Sequence, residues 1–252
     1  MRSNRLQLNT NKTELLWCAS ARRQSQLPST PLRVGSTMVS PSSSVRNLGF
    51  YIDADLSGRT QVIKTTASCF AALRQLRGVR RCLTTDIFKS LVVSLVLSRL
   101  DYGNAVLCGL PQYQYRRLQS VLHAAARSIY NIRRYDHVTP ALIELHWLSA
   151  VDRVNFKVAT LVYRCLHDLA PPYLSTTLHR VSQVETRRRL RSSADTDILL
   201  TPRSRLVTVG DRSFPVAGPR VWNDLPETVR AAPSLSSFKR QLKTFLFTRY
   251  YS

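Results

Sequence analysis

Apolar residues recur at helical spacing through the middle of the chain. From Gln61 to Val79, Val62, Ile63, Ala67, Phe70, Leu73 and Leu76 make an apolar face, with Lys64, Arg74 and Arg77 on the other side. That period predicts an amphipathic helix, closed by Gly78, Arg80 and Arg81. Leu83 to Pro111 is the most apolar stretch. Thr84 or Thr85 can cap a helix there, and Asp86 sits in its first turn, where the helix dipole favours an anion. Ile87, Leu91, Val92, Leu95 and Val96 follow at helical spacing, and Val93 and Leu97 make the helix apolar almost all round. Such a pattern predicts a central helix with neighbours on most sides, the element that organises the chain. Arg99, Tyr102, Gly103 and Gly109 end it. The run is broken by Ser94, Ser98 and Arg99 and falls short of the roughly 20 apolar residues of a membrane span.

Three more helices follow by the same reading. Pro111 opens one with Leu118, Val121, Leu122, Ala125 and Ile129 on one face and Arg116, Arg117 and Arg127 on the other. Thr139–Pro140 opens a short helix through Leu145. Ser149 and Asp152 form a capping-box-like pair before Val154, Val158, Leu161, Val162 and Leu166, and Pro171–Pro172 stops that helix.

The ends of the chain read differently. Asn9, Thr10 and Asn11 predict a turn, with Leu15, Leu16 and Trp17 as a short strand that lacks a sheet of its own. Such a start is expected of a piece cut from something larger. Ala21 to Ser44, rich in Ser, Pro and Arg, predicts a hairpin with a long loop and a strand at Leu32 to Val34. Val45 to Ile52 is a second strand candidate, and Asp53 to Gly58 a turn. Ser175 to Arg205 has few apolar residues and predicts a loop or disordered linker. Phe214, Val216, Val221 and Trp222 predict an extended segment, Asn223 to Pro226 a turn, and Ser234 caps a last helix. That helix carries Leu235, Phe238, Leu242 and Phe245, with Lys239, Arg240 and Lys243 outside. No internal repeat is present. The expected organisation is mainly α: a small β segment over 1–58, a helical domain over 59–174, a basic linker over 175–208, and a tail with a terminal helix over 209–252.

Charge changes this picture more than any other compositional fact. The 252 residues carry 37 Lys and Arg against 15 Asp and Glu, a net charge of +22. Only Lys12, Lys64, Lys89, Lys157, Lys239 and Lys243 are lysines. Arginine's planar fork suits phosphate, so a polyanion is the expected partner. Cys18, Cys69, Cys82, Cys108 and Cys165 are odd in number and scattered. They read as reduced core residues of an intracellular protein, nuclear or cytoplasmic. No CxxC pair points to zinc, and no GxSxG elbow, P-loop or GxGxxG loop occurs. The start MRSNRLQLN lacks the apolar core of a secretory signal.

Several stretches together resemble a known family. LNTNKTELL resembles the segment shortly after the catalytic Asp pair in non-LTR (LINE-type) retrotransposon reverse transcriptases. VRNLGFYIDADLSG resembles the hairpin that follows, where those enzymes place the primer grip. The pattern around SRLDYGNAVLCGLP resembles their thumb. FPVAGPRVWNDLPETVR followed by SLSSFKRQLKTFLF resembles the C-terminal tail of jockey-like and CR1-like elements. The motifs run in order from Leu6 to Phe247. The resemblance implies the end of a polymerase palm reduced to a β-hairpin, then a helical thumb-like bundle and the tail. The parent enzymes copy RNA into DNA with two magnesium ions held by palm carboxylates, an adjacent Asp pair among them. No Asp–Asp pair occurs in this chain. Those carboxylates would hold the metals that stabilise the attacking and leaving oxygens. The expectation is therefore no polymerase activity and no cofactor for this chain alone.

The candidate residues follow. Lys12 matches the family lysine near the incoming nucleotide's phosphates, a role moot without the palm; a solvated turn lysine is the plainer reading. Leu48, Gly49, Phe50 and Tyr51 would form the grip hairpin, with Gly49 permitting close backbone approach. Arg74, Arg77, Arg80 and Arg81 lie on or just beyond one helix; Arg116, Arg117, Arg127, Arg133 and Arg134 belong to another. If these surfaces converge they make a positive wall for the backbone of RNA, DNA or an RNA–DNA hybrid, since phosphate contacts need charge and reach. Arg187 to Arg191 is a further basic run. Asp53 with Asp55, and Asp195 with Asp197, read as turn or cap residues rather than metal ligands. The five histidines have no metal-like spacing. Trp147 and Trp222 read as core anchors. A different class of function is a helical module whose uncovered apolar faces dock a protein; a third possibility is a decayed product with no function.

Overall fold

The structure is a computed structural model that describes Asn9, residues 12–183, residues 197–204, Leu206 and residues 209–252. It is mainly α-helical with small β-hairpins. The chain divides into two compact units, Met1–Lys64 and Thr65–Ser252. The Arg187 to Arg191 run and Asp195 lie outside the described residues.

In the first unit, β1 (Leu32–Val34) pairs antiparallel with β2 (Thr37–Val39), leaving only Gly35 and Ser36 in the turn. The long loop expected here is thus a tight one. β3 (Ser44–Asn47) and β4 (Phe50–Asp53) form a second hairpin. The single strand expected over Val45 to Ile52 is folded in half at Leu48–Gly49. Both turn residues have positive φ, 47° and 84°, as a two-residue turn that follows the strands' right-handed twist requires. A leucine at the first of these positions gives no sequence signal for it. The strand expected at Leu15 to Trp17 is reduced to one bridge between Leu15 and Pro41. Asp53, buried, accepts hydrogen bonds from the Ser57 hydroxyl (3.0 Å) and the Thr60 N–H (3.1 Å). It thereby satisfies a donor in the first turn of α1 (Arg59–Val79). Asp55 Oδ1 accepts from the Ser57 N–H. Both carboxylates serve a turn and a helix start.

In the second unit, α1 buries Cys69, Ala72, Leu73 and Leu76. α2 (Thr85–Val92) is capped by the Thr84 side chain, which accepts from the Ile87 N–H. It continues through a π-turn, Val93–Leu97, where the Ser98 N–H reaches the Val93 carbonyl five residues back, into α3 (Ser98–Asp101). Phe88, Val92, Val96, Leu97 and Leu100 are buried, but Ile87, Val93 and Leu95 are exposed. The helix expected to be covered on most sides therefore leaves three of its apolar residues in solvent.

The hub is α6 (Ala150–Leu166) instead. It packs against α4 (Gln112–Tyr130), α7 (Pro172–Ser175), α8 (Phe214–Asn223), α10 (Leu235–Tyr251) and the turn Asn104–Leu107. Its sequence explains this, since Val154, Val158, Ala159, Thr160, Val162, Tyr163 and Cys165 are buried over more than one face. Its start is the expected capping pair: the Ser149 side chain accepts from the Asp152 N–H and donates to Asp152 Oδ2. The remaining helices are α5 (Thr139–Glu144), against α4, and α9 (Glu227–Arg230), against α10.

Phe214 to Trp222, expected to be extended, is helix α8. Pro215 suits a first turn, but Pro219 sits inside the helix, where proline ordinarily costs about 3 kcal/mol. Burial of Val216, Ala217 and Trp222 offsets that cost. Gly218 allows the approach to α6, since a Cβ there would lie 3.1 Å from Val162 Cγ2. Tyr163, Trp222 and Phe238 form an aromatic centre, with Tyr163–Phe238 ring centroids 4.5 Å apart and Trp222–Phe238 5.7 Å. The described parts of the stretch read as a linker contribute to this core. Leu178 and Leu199 are buried in it. The Asn223 side chain brackets Leu199, accepting from its N–H and donating to its carbonyl, and the Trp222 indole donates to Asp197 O. All five cysteines are free thiols; Cys69, Cys108 and Cys165 are buried, but Cys18 and Cys82 are exposed rather than in the core.

Candidate nucleic-acid interface

The basic residues singled out on α1 and α4 are brought together in part. The C-terminal end of α1, the short turn Arg80–Cys82 and the second half of α4 enclose a groove of about 870 Å³. Arg77, Arg80, Arg81, Arg127 and Arg134 line it, and no carboxylate does. Its α4 wall is Ser120, His123, Ala124, Arg127, Ser128 and Asn131. These recur at three- and four-residue spacing, and they are small or polar where the opposite face is Leu118, Val121, Leu122, Ala125 and Ile129. Small side chains at 120, 124 and 128 open the space between the arginines.

The lining arginines have different roles. Arg80 is largely structural. It donates to Leu83 O, Thr85 Oγ1 and Ile129 O, and its guanidinium lies 4.8 Å from the centroid of the buried Phe88 ring. It thus ties the start of α2 to the end of α4 while adding its charge to the groove. Arg77 donates to Ser128 Oγ across the groove, and Arg127 to Asp136 O. Arg81 and Arg134 are exposed and form no hydrogen bond or ion pair with the described residues. They are the arginines best able to engage a ligand. His123 shares a hydrogen bond with Gln119 at 2.9 Å. Burial, and then the nearby Arg127, hold its imidazole below the ordinary value, so it is neutral near pH 7.

The other candidates do not line the groove. Arg74, Arg116, Arg117 and Arg133 are exposed but outside the groove lining. Lys12, in a turn closed on Asn9 O, and Gly49, at the tip of the β3–β4 hairpin, belong to the first unit. The sequence reading missed Ser120, Ser128 and Asn131; the small-residue stripe on α4 was the signal that could have located them.

Compared with protein-family models, with curated proteins and with solved structures, the chain matches none.

The described donors do not suit the two magnesium ions used by the enzymes that the sequence resembles. Among the described residues no group of three or more His, Cys, Asp or Glu side chains could hold a metal ion. Asp53 and Asp55, the closest-spaced described carboxylates, are committed to Ser57 and Thr60. No described helix is long and apolar enough to cross a membrane.

Proposed function

We propose that this chain is the C-terminal part of a non-LTR retrotransposon reverse transcriptase, without its catalytic carboxylates. Its activity is sequence-independent binding to the backbone of RNA, DNA or their hybrid. The observation that carries the binding reading is the groove with five arginines and no carboxylate. Polar side chains and guanidinium forks of this kind meet phosphate oxygens without reading base edges. The family origin rests on the ordered motifs from Leu6 to Phe247.

The test is fluorescence anisotropy of the purified chain with single-stranded RNA, duplex DNA and a hybrid duplex, from low to high salt. Affinity falls linearly in log salt as counterions are released. Primer extension by the chain is absent under any divalent cation; measurable extension would overturn the non-catalytic reading.

A second reading has one observation in its favour. Ile87 and Leu95 on the α2–α3 helix, with Tyr102 and Val106 beyond it, are large apolar residues left exposed, 51%, 40%, 53% and 59%. Such a surface suits a protein-docking module. Absence of nucleic-acid binding at low salt by a folded chain selects this second reading over the first.

A further inference from the structure

We propose that Tyr135 stacks on an unpaired nucleobase at the edge of the arginine groove, so that the protein favours a duplex end carrying a single-stranded overhang. This rests on the groove reading above. Tyr135 is 91% exposed, more than any other large apolar or aromatic side chain among the described residues. Neither its ring nor its hydroxyl meets a partner there. The backbone that carries it is nevertheless tied down. The Asp136 N–H bonds to Arg133 O, closing a four-residue turn with Tyr135 at its third position. Asp136 Oδ2 accepts the Arg133 N–H in return. Arg127 donates from α4 to Asp136 O, and the Ile132 N–H returns to Arg127 O.

The residue that anchors the turn, Arg127, and the residue next to the ring, Arg134, both line the groove. The ring therefore stands in water next in the chain to Arg134, a guanidinium without a described partner, on a turn anchored by Arg127. None of the groove-lining residues is itself Phe, Tyr or Trp. The lining grips phosphates, and Tyr135 supplies the π-face that phosphates cannot use. Aromatic platforms beside a basic track are how single strands are held without sequence readout. A base stacked inside a duplex offers its face to nothing, and the last pair of a blunt end offers only one, whereas an unpaired overhang nucleotide can turn out and lay its face on the ring.

The experiment compares a blunt duplex, the same duplex with a three-nucleotide overhang, and that overhang with abasic sites, for the full chain and its Tyr135→Ala, Tyr135→Phe and Tyr135→Trp variants. The exposed site leaves folding of these variants intact, checked by circular dichroism. The wild-type chain binds the overhang duplex on the order of 5- to 100-fold tighter than the blunt or abasic one. Tyr135→Ala removes that advantage and leaves blunt-duplex affinity unchanged, while the Phe and Trp variants keep it. An advantage that is absent in the wild type, survives Tyr135→Ala, or persists on abasic overhangs overturns the proposal. The groove itself is tested separately by Arg81→Glu with Arg134→Glu on the blunt duplex. Weakened blunt binding alongside a silent Tyr135→Ala sinks the stacking contact alone. Unchanged blunt binding sinks the groove reading, and with it the stacking site.

Discussion

Arginine does two different jobs in the two ends of the second unit. Toward the C-terminal core, four arginines have carboxylates. Arg153 pairs with Asp101 through two hydrogen bonds, Arg180 with Asp197, Arg220 with Asp211, and Arg249 with both Asp152 and Asp224. Around the groove no arginine has one: Arg77, Arg80 and Arg127 bond only to hydroxyls and carbonyls, and Arg81 and Arg134 bond to nothing described. A guanidinium already paired with a carboxylate gains little from a phosphate. One without a carboxylate keeps its full attraction for a polyanion. These described arginines are thus sorted by the fold into some that hold helices together and some that remain available.

Substitutions can test whether the two portions are separable. The largest effect is expected from Trp222→Ala or Phe238→Ala, each at most 1% exposed in the aromatic centre. Either should cost about 3–5 kcal/mol of stability in urea unfolding. Affinity per folded molecule for duplex should stay as it was; a parallel loss would mean that the groove and the core are one cooperative site.

Next comes Asp101→Ala, which strands the Arg153 guanidinium, whose side chain is only 16% exposed. About 1–3 kcal/mol should be lost, less than for a fully buried pair because Asp101 is 29% exposed. Binding should not weaken, and an extra uncompensated cation should if anything raise affinity at low salt.

The groove gives the reverse pattern. Arg81→Glu with Arg134→Glu should leave stability within about 0.5 kcal/mol. The slope of log affinity against log salt should flatten by about 2, near 0.9 for each phosphate contact removed. A stability loss of the size expected for Asp101→Ala would show that these arginines are structural after all.

The smallest effect concerns pH. Burial and then Arg127 depress the imidazole of His123 below its ordinary 6.5. Between the folded-state value and 6.5 the unfolded chain binds more protons, so stability is full above 6.5 and declines as pH falls through that window. A phosphate in the groove favours the imidazolium, so binding should strengthen over the same window. His123→Gln should flatten both slopes; a pH dependence of binding that survives the substitution would place the titrating group elsewhere.

The helical frame was legible in the sequence because it rests on apolar period and caps. Thr84, Ser149 and Ser234 each cap the helix expected of them, through bonds to Ile87, Asp152 and Ser237. What misled were places where tertiary packing outweighs local preference. Phe214, Val216, Val221 and Trp222 read as extended, yet they lie on a helix that burial of Trp222 and Val216 holds together despite Pro219 inside it. The low apolar content after Ser175 concealed that Leu178 and Leu199 are anchors. Periodicity shows that a face is apolar but not how much of it a neighbour covers, so the hub fell on α2 rather than α6. The candidate site was half legible: charge marked the helices, but only the fold shows that Arg77, Arg80, Arg81, Arg127 and Arg134 share a groove, while Arg74, Arg116, Arg117 and Arg133 do not line it.

The π-turn in the α2–α3 helix has an evolutionary reading. A five-residue hydrogen-bonded turn inside an α-helix accommodates one residue more than the regular spiral. The surplus is absorbed locally, so Phe88 and Val92 before it, and Leu100 and Asp101 after it, all keep their places against the core and Arg153. Cys69 Sγ, at 3.6 Å from Val96 O, gives a carbonyl within the turn a weak donor. Losing one residue among Val93, Ser94 and Leu95 would let the helix close to regular form with its flanks in register. The same deletion in the middle of α4 would turn everything beyond it by about 100° and scatter the groove. One helix of this protein therefore tolerates a change of length at a defined point, and the helix beside the groove does not.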